Sequence, residues 1–511
     1  MPMPSQDVSL SGSDAATGTC CSAPVILTSF TPILEQLSGS IVVKDNEYRL
    51  IADPSDDDWK RLQAHAAIIE ELSISDLDAN HAYITDAVYF RLGQLQGTSN
   101  PLMPKLRQLR ISCVASTSLL RLFLFFSPSL EHVEIVGLPH VARTTLKAFL
   151  DFGARQMHLT TLILDPINIT ADFVKLITQC ASMKSLGLRN VKENWDAYLL
   201  NELALLPQLQ YFTIDATNIQ GTYPGDRRSD GLTKDLGRFS SLQSLHFQGD
   251  ADTFDRVMSD RHNMPSLEIV HLVLRGCQEE LSLSRRPPVQ GTLIRKILQY
   301  LIGVHKSLPS GQMVLAQRIT SLSIAFSDGP KGFSKDYFKI LIDLSNLELL
   351  QIKGVSYVEA LGECLLCVIP KWPKMQTLCF PISANFPVFI STVAAIARNC
   401  PHLKTLQIPI NPAKTGAPVA LQDVISCPLR MLSVGGPSCH EWASPSGRME
   451  SLGYTARWLY ALFPDLESVE THKGFQDEFW SDVGRLIKLC QDAAKFTRKR
   501  DTGHSLEDGT V

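Results

Sequence analysis

No stretch of this sequence stays apolar for long, no sign of charge dominates it, and its cysteines show no paired spacing. The most apolar windows, 119–126 and 388–397, run to about ten residues at most, against the ~18 a spanning helix needs. No membrane span and no membrane partner are therefore expected. With 48 basic and 52 acidic residues the formal net charge is −4, which supplies no general attraction to a phosphate backbone. No nucleic-acid partner is expected either. The 12 cysteines are scattered and do not form a disulfide framework. The N-terminus is small and polar, without a charged segment leading into an apolar one, so residues 1–30 read as a disordered leader. Together these two features predict a cytoplasmic or nuclear location.

Catalytic constellations are also missing. There is no glycine-rich phosphate loop, no His-Glu-x-x-His and no nucleophile elbow. The pair Cys364-Leu-Leu-Cys367 stands alone in an apolar, helix-forming run, where core cysteines are a better account than zinc or redox chemistry. Asp56, Asp57 and Asp58 follow Ser55 at a helix start. Successive helical residues point in different directions, so they suit capping and the helix dipole better than a metal. The expectation is a chain that is no enzyme and holds no cofactor and no metal.

What the sequence does contain is one phrase, repeated. An apolar residue, then two residues, an apolar, one residue and a final apolar recur as PKLRQLRI (104–111), PSLEHVEI (128–135), MHLTTLIL (157–164) and ASMKSLGL (181–188). The series continues with PQLQYFTI (207–214), SSLQSLHF (240–247), PSLEIVHL (265–272), QRITSLSI (317–324), SNLELLQI (345–352), PKMQTLCF (373–380), PHLKTLQI (401–408) and CPLRMLSV (427–434). Weaker copies at 67–74 and 464–471 bring the total to fourteen, mostly 24 to 29 residues apart. The last two apolar positions are two apart, so an extended strand turns both to one face. Amphipathic segments of helical length lie between copies, as at 171–180, 337–344 and 388–397. Each copy is one strand and one helix that cannot bury their apolar faces alone. The predicted fold is an irregular α/β leucine-rich-repeat solenoid, a horseshoe with a parallel concave sheet and helices on the convex face.

The period predicts an organisation as well: an N-terminal capping segment at 31–66, the solenoid over 67–474, a C-terminal capping helix at 475–496 and a disordered tail at 497–511. Between Leu267 and Ile319 the spacing jumps to 52, so 276–316 is either an insertion or a degenerate repeat. The asparagine that usually closes the turn three residues after the strand is replaced by Val114, Leu138, Ile167, Val191 or Asp250. Only Asn411 conforms, and an irregular turn ladder is expected. Strand residues alternating with the core should line the concave face: Arg110, Glu134, Asp165, Arg189, Tyr211, Asp215, His246, His271, Gln351 and Lys353. Both signs of charge and an aromatic suit a protein partner. Charge reversal at Arg189 or Asp215 is expected to weaken capture without lowering the melting temperature.

The run from Ser55 through Trp59 and Arg61 to Ala66, followed by Ile69-Glu70-Glu71-Leu72-Ser73-Ile74, resembles the segment that leads into the first repeat of fungal F-box proteins of the basidiomycete type. Met103–Leu109 and Leu122–Leu130 are similar to the same group. Tyr and Phe of the family phrase are His65 and Leu62 here, and the Leu-Pro-x-Glu opening of an F-box is not present. The resemblance implies the substrate-recognition subunit of a cullin-RING ubiquitin ligase, in which the repeats capture a protein substrate and Skp1/cullin docking requires an F-box. The alternative is a free-standing leucine-rich-repeat scaffold or signalling regulator unrelated to ubiquitin.

Overall fold

The computed structural model describes residues 24–75, 82–97, 101–112, 121–137, 143–165, 170–191, 197–218, 239–251, 253–254, 264–275, 294–299, 318–327, 332–381, 388–411, 427–435, 445–471 and 477–504. The expected leader lies almost wholly outside them. The chain divides into two compact units, one comprising 1–110 and 121–130, the other 111–120 and 131–511.

In the first unit, strands Ile41–Lys44 and Glu47–Leu50 form a tight antiparallel hairpin. Asp45 and Asn46 occupy its two-residue turn with φ of 55° and 60°. A turn with both central residues left-handed matches the twist of paired strands, and Asp and Asn tolerate it better than most residues. Helix Asp56–Ala66 starts as its sequence predicts: the Ser55 hydroxyl accepts the Asp58 amide at 3.2 Å and donates to the Asp58 carboxylate at 2.8 Å. That carboxylate also pairs with Arg61. The three aspartates thus serve the first turn of the helix. Phe30, Tyr89 and Phe125 make an aromatic core, with Phe30 edge-on to Phe125 at 5.0 Å. This unit takes in the phrase at 67–74 and strand Glu71–Ser75, and so runs well beyond the 31–66 segment.

The second unit is built on the repeated phrase. Strands His132–Val136, Thr161–Asp165, Ser185–Leu188, Tyr211–Asp215, Ser244–Asp250, Ile269–Arg275, Ser321–Phe326, Leu349–Lys353, Thr377–Cys379, Thr405–Asn411, Met431–Gly435 and Ser468–Thr471 pair in chain order. All are parallel. Each strand begins four residues into its phrase. The carbonyl of the residue just before each strand receives two backbone N–H groups from the next copy: Glu131 from Thr160 and Thr161, Gln210 from Gln243 and Ser244, Lys404 from Arg430 and Met431. The same device runs down the whole ladder at 2.7–3.1 Å. Polar residues occupy this site because their side chains leave the core there.

From His132–Val136 to Met431–Gly435 one side of each strand is buried, as with Leu162 and Leu164, Phe212 and Ile214, Val270 and Leu272, Leu350 and Ile352. Their partners are the apolar faces of helices such as Ala171–Thr178, Lys335–Leu341 and Ile390–Asn399. Consecutive helices pack against each other. In helix Leu361–Val368 the core reading of the cysteine pair holds for Cys364, which is buried, while Cys367 is exposed. The unit is a leucine-rich-repeat-type α/β solenoid.

Strand Ile269–Arg275 pairs directly with Ser321–Phe326 over six residues. The long stretch between them therefore places no rung between these two strands. Within it, residues 294–299 are helical, with Ile294, Ile297 and Leu298 buried; the rest of 276–317 lies outside the described residues. At the other end the predicted tail needs correcting. The last helix spans Asp477–His504, eight residues past the expected end. Thr497–Thr502 contains no proline or glycine to stop a helix already anchored by packing. Residues 505–511 lie outside the described ones.

Candidate functional site

Strand residues that alternate with the core form the open face of the sheet, and its register aligns them in rows. The central row runs Glu134, Ile163, Gly187, Thr213, His246, His271, Ser323, Gln351 and Cys379, each opposite the next. Of the ten residues expected on this face, Glu134, His246, His271 and Gln351 stand in that row. Asp165, Asp215 and Lys353 stand two residues further along their strands; Arg189, just past the end of its strand, lies between those of Asp165 and Asp215, with Lys353 five strands away, while Tyr211 is at the start of its own. Arg110 is exposed on strand Gln108–Ser112 and belongs to the first unit.

The register brings several of these together across long sequence separations. Arg189 pairs with Glu134 at 3.4 Å. The imidazoles of His246 and His271, exact register partners on adjacent strands, stack with centroids 4.4 Å apart and an interplanar angle of 27°. Burial, and then the neighbouring His271, push the His246 imidazole below its ordinary value; Asp215 opposes this and Arg189 adds to it. Burial and then Lys353 lower His271 in the same way. Both rings are thereby favoured neutral, which is what allows two of them to stack without repulsion.

Two expected face residues also have structural work. The Asp215 carboxylate accepts the Thr217 amide at 3.0 Å, closing the turn after its strand. Asp165 accepts from the Asn190 side-chain amide at 2.6 Å, and Asn190 accepts from Asn218 at 3.3 Å. This Asp165–Asn190–Asn218 chain is a polar ladder across three copies. It sits one residue earlier than the consensus position in the copy where Val191 is buried, which is why counting from the strand end missed it. Asn190 takes a left-handed φ of 49° there, a conformation asparagine tolerates. Further along, Gln351 accepts from Ser323 at 3.3 Å.

Sequence reasoning also passed over exposed apolar residues on this face. Ile269 is 42% exposed and stands near the expected Tyr211, itself 48% exposed, with only Ser244 between them in register. Met431 lies further along the same row. The signal was available, because the phrase keeps that position polar in most copies and Ile269 and Met431 break it. Among the described residues, no cluster of three or more His, Cys, Asp or Glu side chains is arranged to hold a metal.

A leucine-rich-repeat solenoid with an open, mixed-charge strand face is the class these features define. Comparison with solved structures finds chains of similar type at low identity. A leucine-rich-repeat protein of Leptospira interrogans matches at 12% identity over 81% of this chain and 80% of its own, with a TM-score of 0.36. The LRIM1/APL1C complex matches at 11% identity, covering 86% of this chain and 69% of that one, with a TM-score of 0.33. An internalin of Listeria monocytogenes matches at 12% identity over 79% and 85%, with a TM-score of 0.30. No protein-family model matches the sequence, and no curated protein does. The fold assignment rests on the strand register itself.

Proposed function

We propose that this chain is a protein-binding scaffold that captures its partner on the open strand face. The observation that carries this reading is the juxtaposition of exposed Tyr211 and Ile269 with the stacked His246–His271 pair, bordered by Arg189, Asp215 and Lys353. An aromatic and an aliphatic anchor ringed by charges of both signs is the composition of a protein-recognition patch, not of a phosphate-binding one. Its role is recognition without catalysis.

The finer reading is a substrate receptor of a cullin-RING ubiquitin ligase, supported by the resemblance of 55–74, 103–109 and 122–130 to fungal F-box proteins. The test is affinity purification of the tagged chain from its own cells. Co-purification of Skp1 and cullin supports the receptor. A reproducible partner without them turns the reading to a free-standing scaffold. For the face itself, Ile269→Thr with Lys353→Glu should reduce partner capture about tenfold or more without moving the melting temperature, since both side chains are exposed. Capture that persists in this double variant and in Tyr211→Ala refutes the face. Asp215 is unsuitable for this test, because reversing it also breaks the bond to the Thr217 amide and lowers stability.

A further inference from the structure

The final helix, Asp477–His504, has two faces with different duties. One is held against the body: Trp480, Val483 and Ile487 are buried, and the Gln491 side chain donates to the carbonyls of Pro464 and Leu466 at 2.9 Å each. The opposite face carries Leu489, 63% exposed, and Phe496, 80% exposed. They are seven residues apart, with exposed Ala493 between them, so all three lie along one line of the helix. A second line runs beside it. Lys488 and Lys495 are exposed and seven residues apart, which places them together on the flank of the apolar stripe.

Charge is concentrated here as nowhere else in an otherwise near-neutral chain. Between Arg485 and Arg500 there are six basic residues, Arg485, Lys488, Lys495, Arg498, Lys499 and Arg500, against the single acid Asp492. The helix dipole favours cations in the last turn, but its influence does not reach Lys488 and does not account for an exposed phenylalanine. The other side of the helix is occupied over 480–491, so no partner can wrap around it there. The free face is open along its length, and charge complementarity favours an anionic surface.

We propose that this face of the last helix docks the protein onto an anionic lipid surface, with Phe496 and Leu489 entering the headgroup boundary and the lysine line meeting the negative headgroups. This is contact along a membrane, distinct from spanning one; among the described helices none is long and apolar enough to cross a bilayer. It is independent of the strand face and of any partner held there.

The test uses the full-length chain and co-sedimentation with vesicles of phosphatidylcholine alone or with about 30% phosphatidylserine, at low and at ~0.3 M salt. The expected result is sedimentation with the mixed vesicles only, weakening with salt. Lys488→Glu with Lys495→Glu should lower the partition about tenfold or more, and Phe496→Asp should lower it comparably, while Phe496→Leu retains most of it. Those side chains are exposed, so melting curves of the variants should match the parent, which separates lost docking from lost folding. Absence of sedimentation, equal binding to both vesicle types, or binding indifferent to both sets of substitutions overturns the proposal. Absence of sedimentation would leave an acidic protein as the occupant of this face.

Discussion

At the scale of single residues, the His246–His271 stack makes the open face sensitive to pH. Both imidazoles have folded-state values below the ordinary 6.5, mainly through burial. A depressed histidine binds fewer protons folded than unfolded, so stability rises with pH across that window. Full stability is present above the unfolded value near 6.5 and is lost progressively as pH falls toward the folded values. Melting temperature should therefore drop between pH 7 and pH 5, and His246→Gln or His271→Gln should make the drop smaller. An unchanged drop in both variants would show that the stack does not govern it. The charged neighbours act on this pair in known directions: Asp215 favours protonation of His246, while Arg189 opposes it and Lys353 opposes protonation of His271. The same physics makes the buried thiols poor nucleophiles. Burial pushes Cys400 up to about 12 and Cys427 up to about 11, and each donates to a carbonyl of the preceding copy, Trp372 and Cys400 respectively.

At the scale of elements, the turn after strand Leu349–Lys353 depends on one glycine. Gly354 has φ of 74°, and a Cβ there would run into the Phe326 carbonyl of the neighbouring strand. Both the backbone conformation and the close approach demand the absence of a side chain. Gly354→Ala should cost about 2–4 kcal/mol, read from urea denaturation, because the strain of a left-handed alanine and the clash add. A loss below about 0.5 kcal/mol would mean that the turn relaxes freely. The three copies at the 28-residue period, from Leu347 through Met375 to Leu403, are joined by side chains. The Gln376 side chain donates to Glu348 at 2.8 Å and Lys404 donates to Gln376 at 3.0 Å. The strand register brings like positions of successive copies within bonding distance, and it does so at unequal spacing too: Arg430 pairs with Glu467 at 3.7 Å.

At the scale of the molecule, a ladder built in chain order needs something outside the ladder to cover the core at its last strand. Helix Asp477–His504 packs on strand Ser468–Thr471 and on helix Pro445–Leu462, and Gln491 satisfies two carbonyls there. Removing 477–511 would expose Val469, Leu466 and the apolar side of the preceding helix, so the shortened chain should aggregate or melt well below the parent. A truncated chain that stays monodisperse, with an unchanged melting curve, would show that the helix is no cap. The strand positions of the solenoid were readable in advance because Leu186 and Leu188, or Leu406 and Ile408, must share a face, and period-two burial is a property of any half-buried strand. The charged face was readable to the same extent, since alternation places Glu134, His246 and Gln351 opposite the core.

Pairing was not readable. Glu134 and Arg189 are 55 residues apart, and nothing local says that their side chains meet at 3.4 Å. Nor does the phrase reveal that His246 faces His271, that Asn190 joins Asp165 to Asn218, or that the 276–320 excursion leaves two strands in direct contact. The sequence by itself determined the repeat, the buried side of each strand and the capped start of the helix at Ser55, because these follow from periodicity and local hydrogen bonding. Register between copies, and with it the composition of the open face, was decided only by the tertiary structure. It depends on how loops of unequal length bring successive strands alongside one another, a property that no single copy contains.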